Sequence, residues 1–135
     1  MATVRLEVVT PSREVVKVET EEVVQLPGRD GLFGVLPEHC AMMSTLGPGV
    51  VSYLVGKDQE AEMVVGGGFA IIQDDVVTVL AETAELPEEI DLNAAQSALE
   101  AAREAEGLAT TPEEEAAAHD QVVLAEARID AVAKS

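Results

Sequence analysis

Positive charge is scarce in this chain: 8 Lys and Arg stand against 26 Asp and Glu, a formal net charge of -18. Such a surface repels the phosphates whose neutralisation drives nucleic-acid binding and the anionic lipids that attract basic segments. Nucleic acid and direct membrane insertion are therefore not expected. Cysteine is nearly absent too. Cys40 alone cannot close an intrachain disulfide, which removes the disulfide-scaffold class and points to a reducing compartment. No long apolar run occurs: the longest charge-free stretch, residues 40–56, falls short of the ~20 residues of a spanning helix and carries Gly47-Pro48-Gly49 near its middle. The opening Met-Ala-Thr-Val-Arg-Leu-Glu lacks the apolar run of a secretory signal, so export is not expected. What the chain does have is 47% hydrophobic residues and a positive mean hydropathy, more to bury than a disordered acidic chain has. Its 135 residues suffice for one hydrophobic core, and it is expected to fold.

The chain speaks in two periods. Up to about residue 80, valine-rich apolar residues alternate in short runs: Val4, Leu6 and Val8 around Arg5 and Glu7, then runs at 14–18, 22–26, 50–55, 61–65, 69–72 and 76–80. Turn residues separate them, at Pro27-Gly28-Arg29-Asp30-Gly31, Gly47-Pro48-Gly49, Gly56-Lys57-Asp58 and Asp74-Asp75. Many short strands without helical patterns between them indicate an all-β sandwich or barrel. After Pro87 aromatics vanish and alanine and glutamate dominate, which is helix composition. Leu92, Ala95, Leu99 and Ala102 share one helical face, and Ala94, Ala98, Ala101 and Ala105 form a second, small-residue face suited to another neighbour. Thr111-Pro112-Glu113-Glu114 carries a cap, a first-turn proline and a capping-box glutamate, and opens a second helix. Its stripe is Ala118, Val122, Ala125, Ile129 and Val132. The expected organisation is a β-sandwich over residues 1–87 and a helical hairpin over 88–135, with Leu92, Leu99, Val122, Ile129 and Val132 in the hairpin's packing. Alanine buries little area, so docking of this hairpin on the sandwich is expected to be marginal, as a two-state element requires.

The candidate chemistry is thin. His39-Cys40 could pair a thiolate with an imidazole, but adjacent side chains point apart and nothing near in sequence orients His39; a turn histidine and a buried thiol are the plainer reading. His119 stands beside Asp120 on the charged side of the second helix, a solvated position. Two histidines and one cysteine without ligand spacing make no zinc site, and the acidic runs lack the calcium-loop pattern. Gly66-Gly67-Gly68 lacks the Lys-Ser/Thr of a phosphate loop and reads as a hairpin turn or bulge. Of Met42 and Met43, one is expected inside and the other on a contact surface. These residues describe an acidic, two-part interaction protein without catalytic residues, metal or cofactor.

The stretch from Val24 to His39, Val-Gln-Leu-Pro-Gly-Arg-Asp-Gly-Leu-Phe-Gly-Val-Leu-Pro-Glu-His, followed by Leu46-Gly47-Pro48-Gly49, resembles the ε subunit of bacterial F-type ATP synthase, the counterpart of mitochondrial δ. So do Leu6-Glu7-Val8-Val9-Thr10-Pro11, Gly67-Gly68-Phe69-Ala70 and the stretch Val77-Thr78-Val79-Leu80-Ala81-Glu82-Thr83-Ala84-Glu85. With the terminal hairpin, the likeness runs in order over essentially the whole chain. It implies a non-catalytic rotor component at the foot of the central stalk, gripping the γ subunit and resting on the polar loops of the c-ring. It would help turn proton flow into rotation and ATP. It implies a place on the cytoplasmic face of the bacterial plasma membrane, held there through the complex. By the same resemblance, Arg29, Asp30, Leu32 and His39 are candidate ring contacts, with Met42 and Met43 at the rotor interface. Many bacterial relatives carry Glu where Leu32 stands.

In this family the hairpin can also rise along γ toward the α/β catalytic hexamer and block ATP hydrolysis through basic residues of its second helix. Here that helix has Arg128 and Lys134 against Glu113, Glu114, Glu115, Asp120, Glu126 and Asp130, so weak or steric inhibition is expected. Some relatives bind ATP on the folded-down hairpin through Ile/Leu-Asp-x-x-Arg-Ala. The alternative reading, a nucleotide-responsive module, would rest on what remains of that site: Glu85, Ile90, Asp91, Ala95 and Arg128. Ala94 replaces the motif's arginine and Ala101 stands where another would be, which removes the strongest charge-assisted contacts.

Overall fold

A computed structural model describes residues 3–29, 31–37, 41–55 and 59–134, the side chain of Lys134 excepted. The described residues form β1 (Val4–Val9), β2 (Glu14–Thr20), β3 (Val24–Gly28), β4 (Gly31–Val35), β5 (Met42–Val55), β6 (Gln59–Gln73), β7 (Val76–Ala81), β8 (Ala84–Glu85), a 3-10 turn at Pro87–Glu89, α1 (Leu92–Leu108) and α2 (Pro112–Lys134). The strands make a β-sandwich whose hydrogen-bonded order is β2-β1-β7-β6-β5-β3-β4, with β8 on β6. Among the described residues only the β1–β7 pairing is parallel.

Alternation decides which residues enter the core. Val4, Leu6 and Val8 of β1, Val24 and Leu26 of β3, and Val77, Val79 and Ala81 of β7 are buried at every second position. Between β6 and β7, Asp74 and Asp75 take φ of 52° and 62°, the left-handed pair that a two-residue hairpin turn needs and that Asp tolerates.

Gly47-Pro48-Gly49 does not turn the chain. β5 runs through it, paired with β6 from Met42↔Ile72 to Val55↔Gln59. Gly66-Gly67-Gly68 faces it on β6, and neither expectation for the triplet, turn or bulge, is met: β6 runs through it with its register unbroken. Gly67 and Gly68 have φ of +105° and +143°, and the register is the same at Leu46↔Gly68 and Pro48↔Gly66 on either side of Gly67. The buried positions change parity across this crossing: Leu46 precedes Val51 and Tyr53 on β5, and Met63 and Val65 precede Ala70 and Ile72 on β6. The register does not slip, so the change of face lies in the backbone at the glycine crossing, where the ribbon bends and serves both layers around one core. Glycine is required at 68, where an added Cβ would run into the Leu80 carbonyl oxygen at a φ of +143°; at 66 the obstacle would be the side-chain hydroxyl of Thr83. Gly56-Lys57-Asp58 lies outside the described residues.

The helices meet the capping expectations with one difference. Thr111 Oγ1 accepts from the Glu114 N–H at 3.1 Å, and Pro112 begins α2. Glu114 reaches back not to Thr111 but to Thr110, whose N–H and hydroxyl donate to its carboxylate at 3.0 and 3.2 Å. Asp91 caps α1 by accepting from the Ala94 N–H at 3.1 Å.

The second face expected on α1 has no neighbour: Ala94, Ala98, Ala101 and Ala105 are all exposed. It is α2 that has two partners, α1 on one side and β5 and β6 on the other. Leu124 and Ala131 of α2, with Ala127, pack against Val64, Val50 and Ile90. An exposed alanine costs little, whereas Leu124 has a full side chain to remove from water, so the larger residue decided which helix docks.

Candidate functional site

Two surfaces of the sandwich remain open for partners. At the β3–β4 turn Leu32 is 73% exposed, and across a shallow groove from it stand Met42 at 38% and Met43 at 69%. Neither methionine enters the core. Met42 pairs opposite buried Ile72 but begins β5, where the layers end, so its core-side position is only partly covered. Beside them, on the sheet's outer face, Phe69 is 50% and Leu80 44% exposed and they are paired across β6 and β7. Met43 pairs with Ile71 two positions along the same face. Apolar side chains grouped in this way mark contact surfaces more than solvent faces.

Arg29 stands at the tip of the β3–β4 turn, yet its guanidinium points to the hairpin. Nη1 and Nη2 donate to the two carboxylate oxygens of Asp120 at 2.9 and 3.0 Å. The Asp120 hydrogen bonds hold this guanidinium's pKa above its ordinary value, against partial burial, with the charges of Asp120 and Glu82 adding. Asp30, His39 and Cys40 lie outside the described residues, so the ring-contact expectations for Asp30 and His39 and the thiol reading of Cys40 have no structural description.

The residues of the nucleotide-site remnant each have an internal partner. Arg128 Nε donates to Glu85 Oε1 at 2.7 Å, joining α2 to β8. Asp91 is the cap of α1, Ile90 packs in the cluster beneath α2, and Ala95 is buried along α1. The structure thus brings Glu85 and Arg128 together, as an ion pair within the chain. In the hairpin packing, Val122 is buried and Leu99, Ile129 and Val132 are half-buried, while Leu92 is exposed at 38%. Leu92 is the first residue of α1, and helical side chains lean toward the N-terminus, so it reaches past the end of its own helix. The docking face of Leu124, Ala127 and Ala131 escaped sequence reading, although its +3, +4 spacing was there to be found. His119 Nδ1 lies 2.9 Å from Glu106 Oε2 across the two helices.

Glu60 and Glu62 of β6 line the same groove as Glu126 and Asp130 of α2. Among the described residues no group of His, Cys, Asp and Glu is placed to hold a metal ion, and no helix is long and apolar enough to cross a membrane.

The molecule is thus a valine-rich sandwich with exposed apolar side chains on one outer face and a capped helical hairpin laid against β5 and β6. Comparison with known proteins is specific. Residues 3–87 match the model of the ATP synthase delta/epsilon chain β-sandwich domain. The ATP synthase epsilon chain of Solibacter usitatus is 45% identical over 98 residues, 73% of this chain and 72% of that one. That of Moorella thermoacetica is 42% identical over 102 residues, 76% and 75% of the two chains. A chain in the structure of the Euglena gracilis mitochondrial ATP synthase, OSCP/F1/c-ring in rotational state 1, superposes with a TM-score of 0.80 over 98% of this chain and 82% of that one, at 24% identity. The chain belongs to the ATP synthase delta/epsilon family, with epsilon chains of F-type ATP synthases as its relatives.

Proposed function

We propose that this chain is a non-catalytic subunit of the central-stalk rotor, transmitting c-ring rotation to the catalytic head through the γ subunit. The observation that carries the reading is the family match combined with the exposed apolar face of Met43, Phe69 and Leu80. That face is suited to γ, and the β3–β4 turn with Arg29 and Leu32 to the polar loops of the c-ring. Leu32, exposed in β4 next to the turn, adds an apolar part to that contact beside the charge of Arg29. The subunit sits peripherally at the cytoplasmic face of the bacterial plasma membrane, held by these partners, with residues 1–87 as the gripping unit and 88–135 as the regulatory one.

The hairpin inhibits weakly when it extends toward the α/β hexamer, because acidic groups outnumber basic ones along α2. It does not sense nucleotide: Arg128 is engaged by Glu85 and Asp91 by the start of α1. Titrating the isolated chain with Mg-ATP leaves the backbone resonances around Ile90 in place; saturation at low-millimolar ATP would establish the nucleotide-responsive alternative. The rotor assignment is tested by co-purification with γ. A stable one-to-one complex at micromolar concentration that Phe69→Asp disrupts is the expected result, and failure of the unaltered chain to form it overturns the reading.

A further inference from the structure

The surface read as facing the ring and the docking of the hairpin converge on one side chain. Arg29 lies 91 residues from Asp120 in sequence, and theirs is a two-point ion pair between the β3–β4 turn and α2. The main chain at Arg29 is fixed separately: its N–H donates to the Thr45 carbonyl at 3.1 Å. The side chain passes over Gly47, where a Cβ would lie 3.6 Å from Arg29 Cδ, so it has a clear track along the sandwich. Its side chain is 48% exposed and that of Asp120 34%, and the neighbouring Leu32 and Met43 are among the more exposed apolar residues. The guanidinium can therefore swing between the hairpin and a surface meeting the turn without moving the turn itself.

We propose that Arg29 is shared between Asp120 and an acceptor oxygen on the polar loops of the ring, so that ring contact at the β3–β4 turn and docking of α2 oppose one another. This rests on the rotor reading above. A guanidinium has five N–H donors, so the exclusion is one of place and not of donor number: while Nη1 and Nη2 hold Asp120 the group lies against α2, and it meets an acceptor on a surface facing the turn only by leaving it. The coupling is reciprocal by thermodynamic necessity: the factor by which docked α2 weakens ring contact is the factor by which ring contact loosens α2. Exposed ion pairs of this kind set that factor at about two- to fivefold. Because the restraints of α2 on the sandwich among the described residues include the Arg128–Glu85 pair and a small apolar cluster, a factor of this size shifts the balance of docked and released hairpin.

The test uses the full chain, free and with the γ–c-ring assembly of its own synthase. In free Asp120→Asn, amide exchange along α2 speeds up about two- to fivefold while strands β1 to β7 are unchanged, and affinity for the assembly rises by a similar factor. The double exchange Arg29→Asp with Asp120→Arg restores slow exchange in α2 but lowers affinity for the assembly, separating the two roles of Arg29. Unchanged α2 exchange in Asp120→Asn overturns the proposal, and so does faster exchange without tighter ring binding. If the unaltered chain does not bind the assembly at all, the rotor reading fails and takes shared use of Arg29 with it, while exchange in the free chain still reports the ion pair itself.

Discussion

At the residue scale the glycines separate three physical cases. Gly68→Ala places a methyl against the Leu80 carbonyl at a φ of +143°, so both crowding and strain act. We expect a loss of about 2–5 kcal/mol, a large part of the ~5–15 kcal/mol available to such a domain, read as a collapse of the thermal midpoint. Gly31→Ala meets nothing within 4 Å at a φ of +129°, leaving backbone strain of about 1–2 kcal/mol. Gly107→Ala lies within α1 with open space around it and should stabilise by about 0.5–1 kcal/mol in the same melt. Glu89 adds a pH-dependent case. Its hydrogen bond from Arg13, joined by the Leu86 N–H, holds its carboxyl below the ordinary value of 4.5. A depressed folded pKa means the contribution is fully present above that ordinary value and is lost as pH falls through the folded one. Glu89→Gln therefore flattens the acid limb of stability below 4.5 relative to the unaltered chain, in unfolding curves taken across that range.

At the element scale the ribbon of β5 and β6 and the hairpin of α1 and α2 obey different accounting. The ribbon is held by a ladder of backbone pairs and a continuous core, and its bend is built from glycines at the crossing. The hairpin is held on the sandwich by a small cluster centred on Leu124 and by two arginine–carboxylate pairs. Leu124→Ala should cost about 2–3 kcal/mol of docking and leave the sandwich folded, because Leu124 belongs to the cluster beneath α2 and not to the main core. Hydrogen exchange checks this directly: residues 92–134 lose protection, and residues 4–81 keep theirs. Equal loss in both segments would contradict the separation.

For the whole molecule, charge is the governing quantity. A net charge of -18 and an isoelectric point near 4.1 make long-range repulsion the background against which every local attraction acts. The acidic excess on α2 is why truncation after Glu88 should raise the ATPase rate of the assembled enzyme by less than about fivefold, the most that exposed charge contacts supply. A steady-state assay of the assembled complex with full-length and truncated chains measures it, and a rise of several tens of fold would show that steric or apolar contacts dominate inhibition.

Sequence alone determined what depends on neighbours along the chain. Period-2 valines named the strands, Asp74-Asp75 the hairpin turn, Thr111-Pro112 the start of α2, and the ordered motifs the family, because hydrogen-bond geometry, φ preference and face alternation are local properties. It misplaced what depends on an opposing surface. Gly47-Pro48-Gly49 read as a turn until pairing with Gly66-Gly67-Gly68 carried the strand through it. The helix with two neighbours read as α1 until Val64 and Val50 supplied a site for Leu124 of α2. Arg29 and Asp120, and Glu85 and Arg128, carry no mutual signal in sequence; only the folded chain brings their charges within hydrogen-bond reach, since an ion pair is set by distance in space and not by separation along the backbone.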